Sequence, residues 1–183
     1  MHNVAMRKFN FILFAAVIFI IAFNWIGWPY QIRFNYPPLN GFIFALLCIL
    51  FPLSMFLAAI SVRNKSIKIA GAVLSIFLSL PLGFLALFAC FDAKLIMEEG
   101  SDNSMQLLDQ ASIPSGTFRL YRTDCGATCS FGLLLRKEID TPIGIKLVRT
   151  EWSIYKQSEA GLEVVENSLR IVNGGETYYE LQK

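Results

Sequence analysis

Two cysteines close together, Cys125 and Cys129, are the residues best suited to chemistry in this chain of 183 residues. They lie in the sequence TDCGATCS, whose residue types favour turns. In an oxidising compartment, two neighbouring cysteines in a turn-rich segment most simply form a disulfide. Closing so short a loop removes little chain entropy, so the bond would mainly fix local shape. We therefore predict a structural disulfide between Cys125 and Cys129.

Two other functions of this cysteine pair, redox catalysis and metal binding, are less favoured. A working dithiol commonly has two residues between its cysteines and begins a helix, which lowers the thiol pKa. Here three residues separate the cysteines, and the surrounding sequence predicts strands. Zinc usually takes four ligands, and the one histidine of the chain, His2, lies far away in sequence. We expect no metal and no cofactor, and we keep a thiol-disulfide oxidoreductase as an alternative function.

Other catalytic constellations are weak or absent in the sequence. Residues 92–183 contain no histidine, which removes Ser-His and Cys-His nucleophilic sites from that half. The carboxylates Glu98, Glu99 and Asp102 cluster, but a solvated face explains them more simply. The same half carries all 14 acidic residues and has a net negative charge, which argues against a nucleic-acid partner. We predict no catalytic residue and no enzymatic activity.

The first half of the chain has the composition of a membrane domain. Residues 1–91 contain no Asp or Glu, and the mean hydropathy of the whole chain is +0.50. A helix needs about 20 apolar residues to cross the hydrocarbon core of a bilayer. Three uncharged stretches predict such helices, at about residues 9–28, 41–62 and 69–91. A signal peptide is the alternative for the first, but the run is long and lacks a small-x-small cleavage site.

The distribution of Lys and Arg predicts the orientation, because short cytoplasmic loops carry an excess of both. The N-terminus and the second loop hold Arg7, Lys8, Arg63, Lys65 and Lys68, whereas the first loop holds Arg33 alone. We therefore expect a multi-pass protein of the inner (plasma) membrane whose N-terminus is cytoplasmic. Three crossings then place residues 92–183 outside, in the periplasm or extracellular space.

The predicted third helix carries small residues four apart on one narrow ridge: Gly71, Ser75, Ser79 and Gly83. Such a ridge lets another helix approach closely. Packing within the chain is the simpler interpretation, and contact with a second copy is the alternative. Prolines within the second and third spans would also suit a channel or transporter subunit, but buried charges are missing from these spans.

Residues 92–183 predict a small all-β domain. Short segments rich in β-formers alternate with turn residues. The predicted strands are Thr117–Thr123, Ser130–Ile139, Ile145–Lys156, Leu162–Glu166, Ser168–Val172 and Glu176–Leu181, with a further strand around Met105–Leu108. Their short, even spacing favours an antiparallel meander, as a sandwich or a partly open barrel. The full fold prediction is three transmembrane helices followed by this domain.

The aromatic residues Trp152, Tyr155, Tyr178 and Tyr179 offer an interaction surface, because aromatic side chains are favoured interface anchors. Packing within the strands is the simpler explanation of the same residues. An exposed domain without catalytic parts predicts binding to a protein partner outside the cytoplasm. The protein would then act as an accessory subunit, a sensor or an immunity-type protective factor, with the lipid bilayer as its other partner.

Overall fold

Three long helices form the first part of the chain. A computed structural model describes residues 2–26, 29–100, 102, 104–124, 131–165 and 168–181. The helices are α1 (His2–Ile26), α2 (Pro37–Ile60) and α3 (Lys65–Glu99). Each is long and apolar enough to cross a membrane, as predicted. The last two residues of the predicted first span, 27 and 28, lie outside the described residues.

The third helix is longer than the apolar stretch that predicted it. α3 begins at Lys65, where the Asn64 side chain accepts hydrogen bonds from the backbone N–H groups of Ser66 (2.9 Å) and Ile67 (3.4 Å). It continues to Glu99 because the residues after the apolar stretch include good helix formers such as Ala93 and Lys94. Hydropathy identifies only the segment of a helix that is apolar enough to lie in lipid, here about residues 69–91. The helix itself extends beyond this segment at both ends.

Small side chains let α2 and α3 pack closely. Ala45 and Cys48 of α2 are buried together with Ala86 of α3. A Cβ atom on Gly71 would lie only 2.7 Å from the Cβ of Ala59. Without a large hydrophobic driving force between helices in lipid, such close backbone approach is a main source of association.

A polar contact joins α1 to α2. The Asn10 side-chain amide donates to the Ser61 hydroxyl at 2.9 Å and to the Leu57 carbonyl oxygen at 3.3 Å. The rings of Phe14 and Phe51 lie 6.1 Å apart, centroid to centroid. Hydrogen bonds between helices add modestly to association in a membrane and fix which faces meet.

Within the described ranges, eight strands form two antiparallel sheets, and together with the three apolar helices they confirm the predicted fold class. The first sheet has the order β1-β5-β4-β3-β2, and the second has the order β6-β7-β8. Neither sheet closes into a barrel among the described strands. Their bounds are β1 (Gln31–Phe34), β2 (Met105–Ile113), β3 (Gly116–Thr123), β4 (Gly132–Asp140), β5 (Ile145–Tyr155), β6 (Gly161–Val165), β7 (Ser168–Asn173) and β8 (Glu176–Leu181).

One hydrophobic cluster is shared by the two sheets. Leu120 and Leu135 of the five-stranded sheet and Leu169 and Ile171 of the three-stranded sheet are fully buried in it. The Asp109 carboxylate adds a polar link, since it accepts a hydrogen bond from the backbone N–H of Leu162 on β6 at 2.8 Å. The β strands therefore form a small sandwich around one core.

Strand β1 was not predicted. It lies between α1 and α2, and it pairs antiparallel with β5 from Gln31 opposite Val148 to Phe34 opposite Ile145. The backbone N–H of Asn35 extends this contact to the Gly144 carbonyl oxygen at 2.9 Å. By compactness the chain divides into two units, one containing the three helices and the other containing all eight strands. A strand inside the predicted 1–91 segment thus belongs to the β unit.

Gly71→Ala is expected to lower the melting temperature of the detergent-solubilised protein, whereas Gly83→Ala should not. Both changes raise helix propensity, which favours the folded state by roughly 0.5–1 kcal/mol. At Gly71 the new methyl group overpacks against Ala59, and overpacking costs about 1–3 kcal/mol. At Gly83 no heavy atom lies within 4 Å of the new Cβ. Equal shifts for the two variants would contradict this account of the α2–α3 contact.

Candidate functional site

One face of the five-stranded sheet carries a cluster of charged side chains. Alternate residues of a strand share a face, and residues paired across strands lie side by side. Arg33 of β1 is paired with Lys146 of β5, which is paired with Asp140 of β4. We call this cluster the charged face and define it by seven residues: Arg33, Arg119, Tyr121, Arg136, Glu138, Asp140 and Lys146.

Glu138 is the centre of the charged face, and its side chain is fully buried. Its carboxylate accepts hydrogen bonds from the Tyr121 hydroxyl at 2.8 Å and from Lys146 Nζ at 3.2 Å. It also accepts one from Arg119, whose other terminal nitrogen donates to Asp140 at 3.0 Å. The strands supply these donors from both sides, because β4 lies between β3 and β5 in the sheet.

These contacts fix the ionisation of the central carboxylate. Burial alone would raise the pKa of Glu138, but the Tyr121 hydrogen bond, the charge of Lys146 and the Arg119 contact together hold this pKa below its ordinary value. Burial, followed by the hydrogen bond to Glu138, raises the pKa of Tyr121. At neutral pH the carboxylate is therefore charged and the phenol protonated. Such a pair is poorly suited to general acid–base catalysis, which needs a pKa near the working pH.

Two guanidinium groups of the charged face, those of Arg33 and Arg136, make no hydrogen bond or ion pair to Glu138 or Asp140 among the described residues. The Nε atoms of Arg33 and Arg136 are buried and have no hydrogen-bond partner among the described residues. Arg136 donates to the Met105 sulfur at 3.4 Å, and its guanidinium lies 5.7 Å from the centroid of the Tyr121 ring. Burial lowers the pKa of Arg33. Burial and then the charge of Arg33 lower the pKa of Arg136.

Sequence reasoning missed the charged face. The sequence alone identifies Arg33 only as the single basic residue of the first loop, and it places Glu138 only within a predicted strand. The available signal was the alternation of Leu135, Lys137 and Ile139 with Arg136 and Glu138. That alternation places the two charged residues on the same side of β4, but it does not reveal which other strands flank them.

The predicted disulfide cysteines, Cys125 and Cys129, lie outside the described residues, so their disulfide stays a prediction. The predicted aromatic surface falls into two parts. Trp152, Tyr178 and Tyr179 pack against the hydrophobic core, and the Trp152 and Tyr179 rings stack with centroids 5.7 Å apart. Tyr155, at the end of β5, is exposed.

The ridge of small residues on α3 is also divided. Gly71 contacts α2 and Ser75 is buried, whereas Ser79 is exposed and Gly83 has open space around it. Ser75, Ser79 and Gly83 help to line an open, apolar cavity of about 310 Å³ between α2 and α3, with Pro52 on the opposite helix. The N-terminal half of the ridge therefore packs within the chain, and contact of its other half with a second copy stays a prediction.

No family model matches this chain, and neither a curated protein nor a solved structure matches it. Within the described ranges, no three His, Cys, Asp or Glu side chains are grouped so as to hold a metal ion. What the fold defines is a class of architecture: three long apolar helices combined with an antiparallel β domain, as expected of a membrane protein.

Glu138→Gln is expected to lower the free energy of unfolding of the β domain by about 3 kcal/mol. The change removes the charge that compensates Arg119 and Lys146, and breaking a buried ion pair on one side is strongly destabilising. Urea titration of the full chain in detergent, followed by tryptophan fluorescence, measures the effect. Glu163→Gln, on the exposed surface of β6, is the matched control and should change little.

The same variant should change the response to acid. Because the folded-state pKa of Glu138 lies below its ordinary value of 4.5, its stabilisation is fully present above about that pH. It is lost as the pH falls through the folded-state pKa. The wild-type protein should therefore lose stability more steeply than Glu138→Gln below pH 4.5. Parallel pH profiles for the two proteins would rule out this role of Glu138.

Proposed function

We propose that this protein is anchored in the inner (plasma) membrane and presents its β domain outside the cytoplasm, where the domain binds a protein partner without catalysis. The observation that carries this proposal is the pairing of β1 with β5. Strand β1 comes from the segment between α1 and α2, and β5 comes from the chain after α3.

That pairing supports three crossings. Strands without a closed barrel do not cross a bilayer, because their unpaired backbone groups have no water to bind. The first loop and the chain after α3 therefore share one aqueous compartment. Helices α2 and α3 leave this compartment and return to it, and α1 enters it from the opposite side. The excess of Lys and Arg at the N-terminus and in the second loop then favours a cytoplasmic N-terminus and an external β domain.

The charges and aromatic side chains of the β domain support binding rather than turnover. Its buried carboxylate, Glu138, is held ionised by three donors and has no role as a proton carrier near neutral pH. Tyr155, at the end of β5, is 56% exposed. Exposed tyrosines combine a large apolar ring with a hydrogen-bonding tip and are frequent anchors of protein interfaces.

Single-cysteine reporters test the orientation. In a chain whose native cysteines are replaced, Ile143→Cys lies in the exposed β4–β5 turn and Ser66→Cys lies in the exposed first turn of α3. A membrane-impermeant maleimide should label Ile143→Cys in intact host cells and Ser66→Cys only after lysis. The reverse pattern would place the β domain in the cytoplasm and overturn the proposal. In the native chain, labelling of Cys125 and Cys129 only after reduction would establish their disulfide.

A photocrosslinking amino acid at Tyr155 tests the binding role. In host cells it should produce a discrete protein adduct, because a contacted anchor lies within bond-forming distance of its partner. The same amino acid at Glu163, exposed on the other sheet, is the control for random collision. An adduct of equal yield at both positions, or none at either, would contradict a specific partner at the end of β5.

A further inference from the structure

The charged face contains more positive charge than its own carboxylates compensate. It has four cationic side chains, Arg33, Arg119, Arg136 and Lys146, and two carboxylates. Glu138 is shared by Arg119 and Lys146, and Asp140 is bound by Arg119. Asp102 also acts electrostatically on Arg136, but its Oδ1 atom accepts from both the backbone and the hydroxyl of Ser104. Arg33 and Arg136 therefore remain without an ion pair among the described residues.

Partial burial of Arg33 and Arg136 makes their unpaired positive charge unfavourable for the stability of the folded state. A charged group that is withdrawn from water without a hydrogen-bonding counter-ion destabilises the folded state. The Nε atoms of both arginines are buried and unpartnered, and Val148, on the strand between them, is only 1% exposed. Both arginines are partly buried as whole residues, and charges there interact more strongly than at an open surface. An anion would compensate the two guanidinium groups.

The two arginines come from different strands, β1 and β4, and lie on the same face of the five-stranded sheet. Arg33 is beside Lys146, and Arg136 is beside Thr150, so β5 supplies an ammonium group and a hydroxyl to the same face. Arg33 and Arg136 lie on the two strands that flank β5, where their partners Lys146 and Thr150 are two alternate positions apart on the same face. Planar guanidinium groups present fixed donor pairs that match the oxygens of a phosphate or a carboxylate.

We propose that Arg33 and Arg136 form an anion site on the charged face, and that its ligand is a phosphate group. Phosphate is favoured over a carboxylate because its several oxygens can accept hydrogen bonds from two guanidinium groups at once. Two sources share this chemistry. Strand β1 is connected to a membrane helix at each end, so a phospholipid headgroup is one source, and a soluble phosphate is the other. The site does not depend on which compartment contains the β domain.

The test uses the full chain, purified in a non-ionic detergent that has no phosphate group and freed of phospholipid. At constant ionic strength, inorganic phosphate should raise the melting temperature in a saturable manner, as any ligand of the folded state does. In parallel, the protein is reconstituted into nanodiscs of phosphatidylcholine alone or mixed with phosphatidylglycerol. A phosphate effect in detergent with equal stability in the two kinds of nanodisc identifies a soluble ligand, and added stability in phosphatidylglycerol nanodiscs identifies a lipid headgroup.

Three variants make the test specific. Arg33→Gln and Arg136→Gln should weaken the apparent affinity about tenfold or more, because each removes a charge-assisted donor pair. Without any anion Arg33→Gln should be at least as stable as the wild type, since it removes a positive charge that has no ion pair, whereas Arg136→Gln also loses the contacts with the Tyr121 ring and the Met105 sulfur. Arg149→Gln, a half-exposed arginine of β5 paired with Glu151 at 3.4 Å, is the matched control and should bind normally.

Arg136→Lys covers the case in which a Gln variant fails to fold. It keeps the charge but loses the planar donor pair, so it should fold and still bind phosphate more weakly. The proposal is overturned if neither phosphate nor phosphatidylglycerol stabilises the wild-type protein. It is equally overturned if Arg33→Gln or Arg136→Lys responds as the wild type does.

Discussion

The backbone pairing of β1 with β5 is the constraint on which the rest of this structure depends. Four residues of a membrane loop complete a sheet whose other strands all follow the last helix. The pairing joins segments separated by more than one hundred residues, and closing such a loop costs entropy that only the assembled domain offsets. It also places Arg33 beside Lys146, so the charged face exists only when this pairing has formed.

The two sides of the five-stranded sheet are stabilised differently. On one side, leucine and isoleucine side chains from both sheets fill a core that water does not reach. On the other side, one buried carboxylate is surrounded by three donors. Ion pairs of this kind add little net stability compared with apolar packing, but they require one arrangement of the strands. The contacts of Glu138 join β3, β4 and β5 in the register that the structure has, while apolar packing fills the other side of the sheet.

Sequence reasoning found the elements that carry a local signal. The apolar stretches predicted three helices, and alternation with turn residues predicted β3 to β8 with bounds within about two residues. It predicted only the first part of β2, because Asp109 and Gln110 interrupt the apolar pattern. It failed for β1, since four residues next to a Pro-Pro sequence have too little pattern to reveal a distant partner.

The site was harder to predict than the fold for the same reason. Arg33 and Glu138 are 105 positions apart in the sequence, and neither belongs to a motif. Their importance follows from register, which pairs Arg33 with Lys146 and so brings it to the face that holds Glu138. For the aromatic residues of β5, exposure depends on one strand and not on a distant partner. Trp152 and Tyr155 lie on opposite faces of β5, so Trp152 packs against the core and Tyr155 is exposed. This difference in exposure can be deduced as soon as it is known which face of β5 meets the core.

The position of β1 at the margin of the five-stranded sheet also protects that margin. Without residues 31–34, residues 145–148 of β5 would lose their partner strand and leave backbone N–H and C=O groups unpaired at the edge of the sheet. Long uncovered edges are sites of intermolecular strand addition and aggregation. A soluble fragment cut after α3 would carry that defect, although it would contain seven of the eight strands. The β domain of this protein is discontinuous in sequence, and its smallest well-behaved form includes the loop between the first two helices.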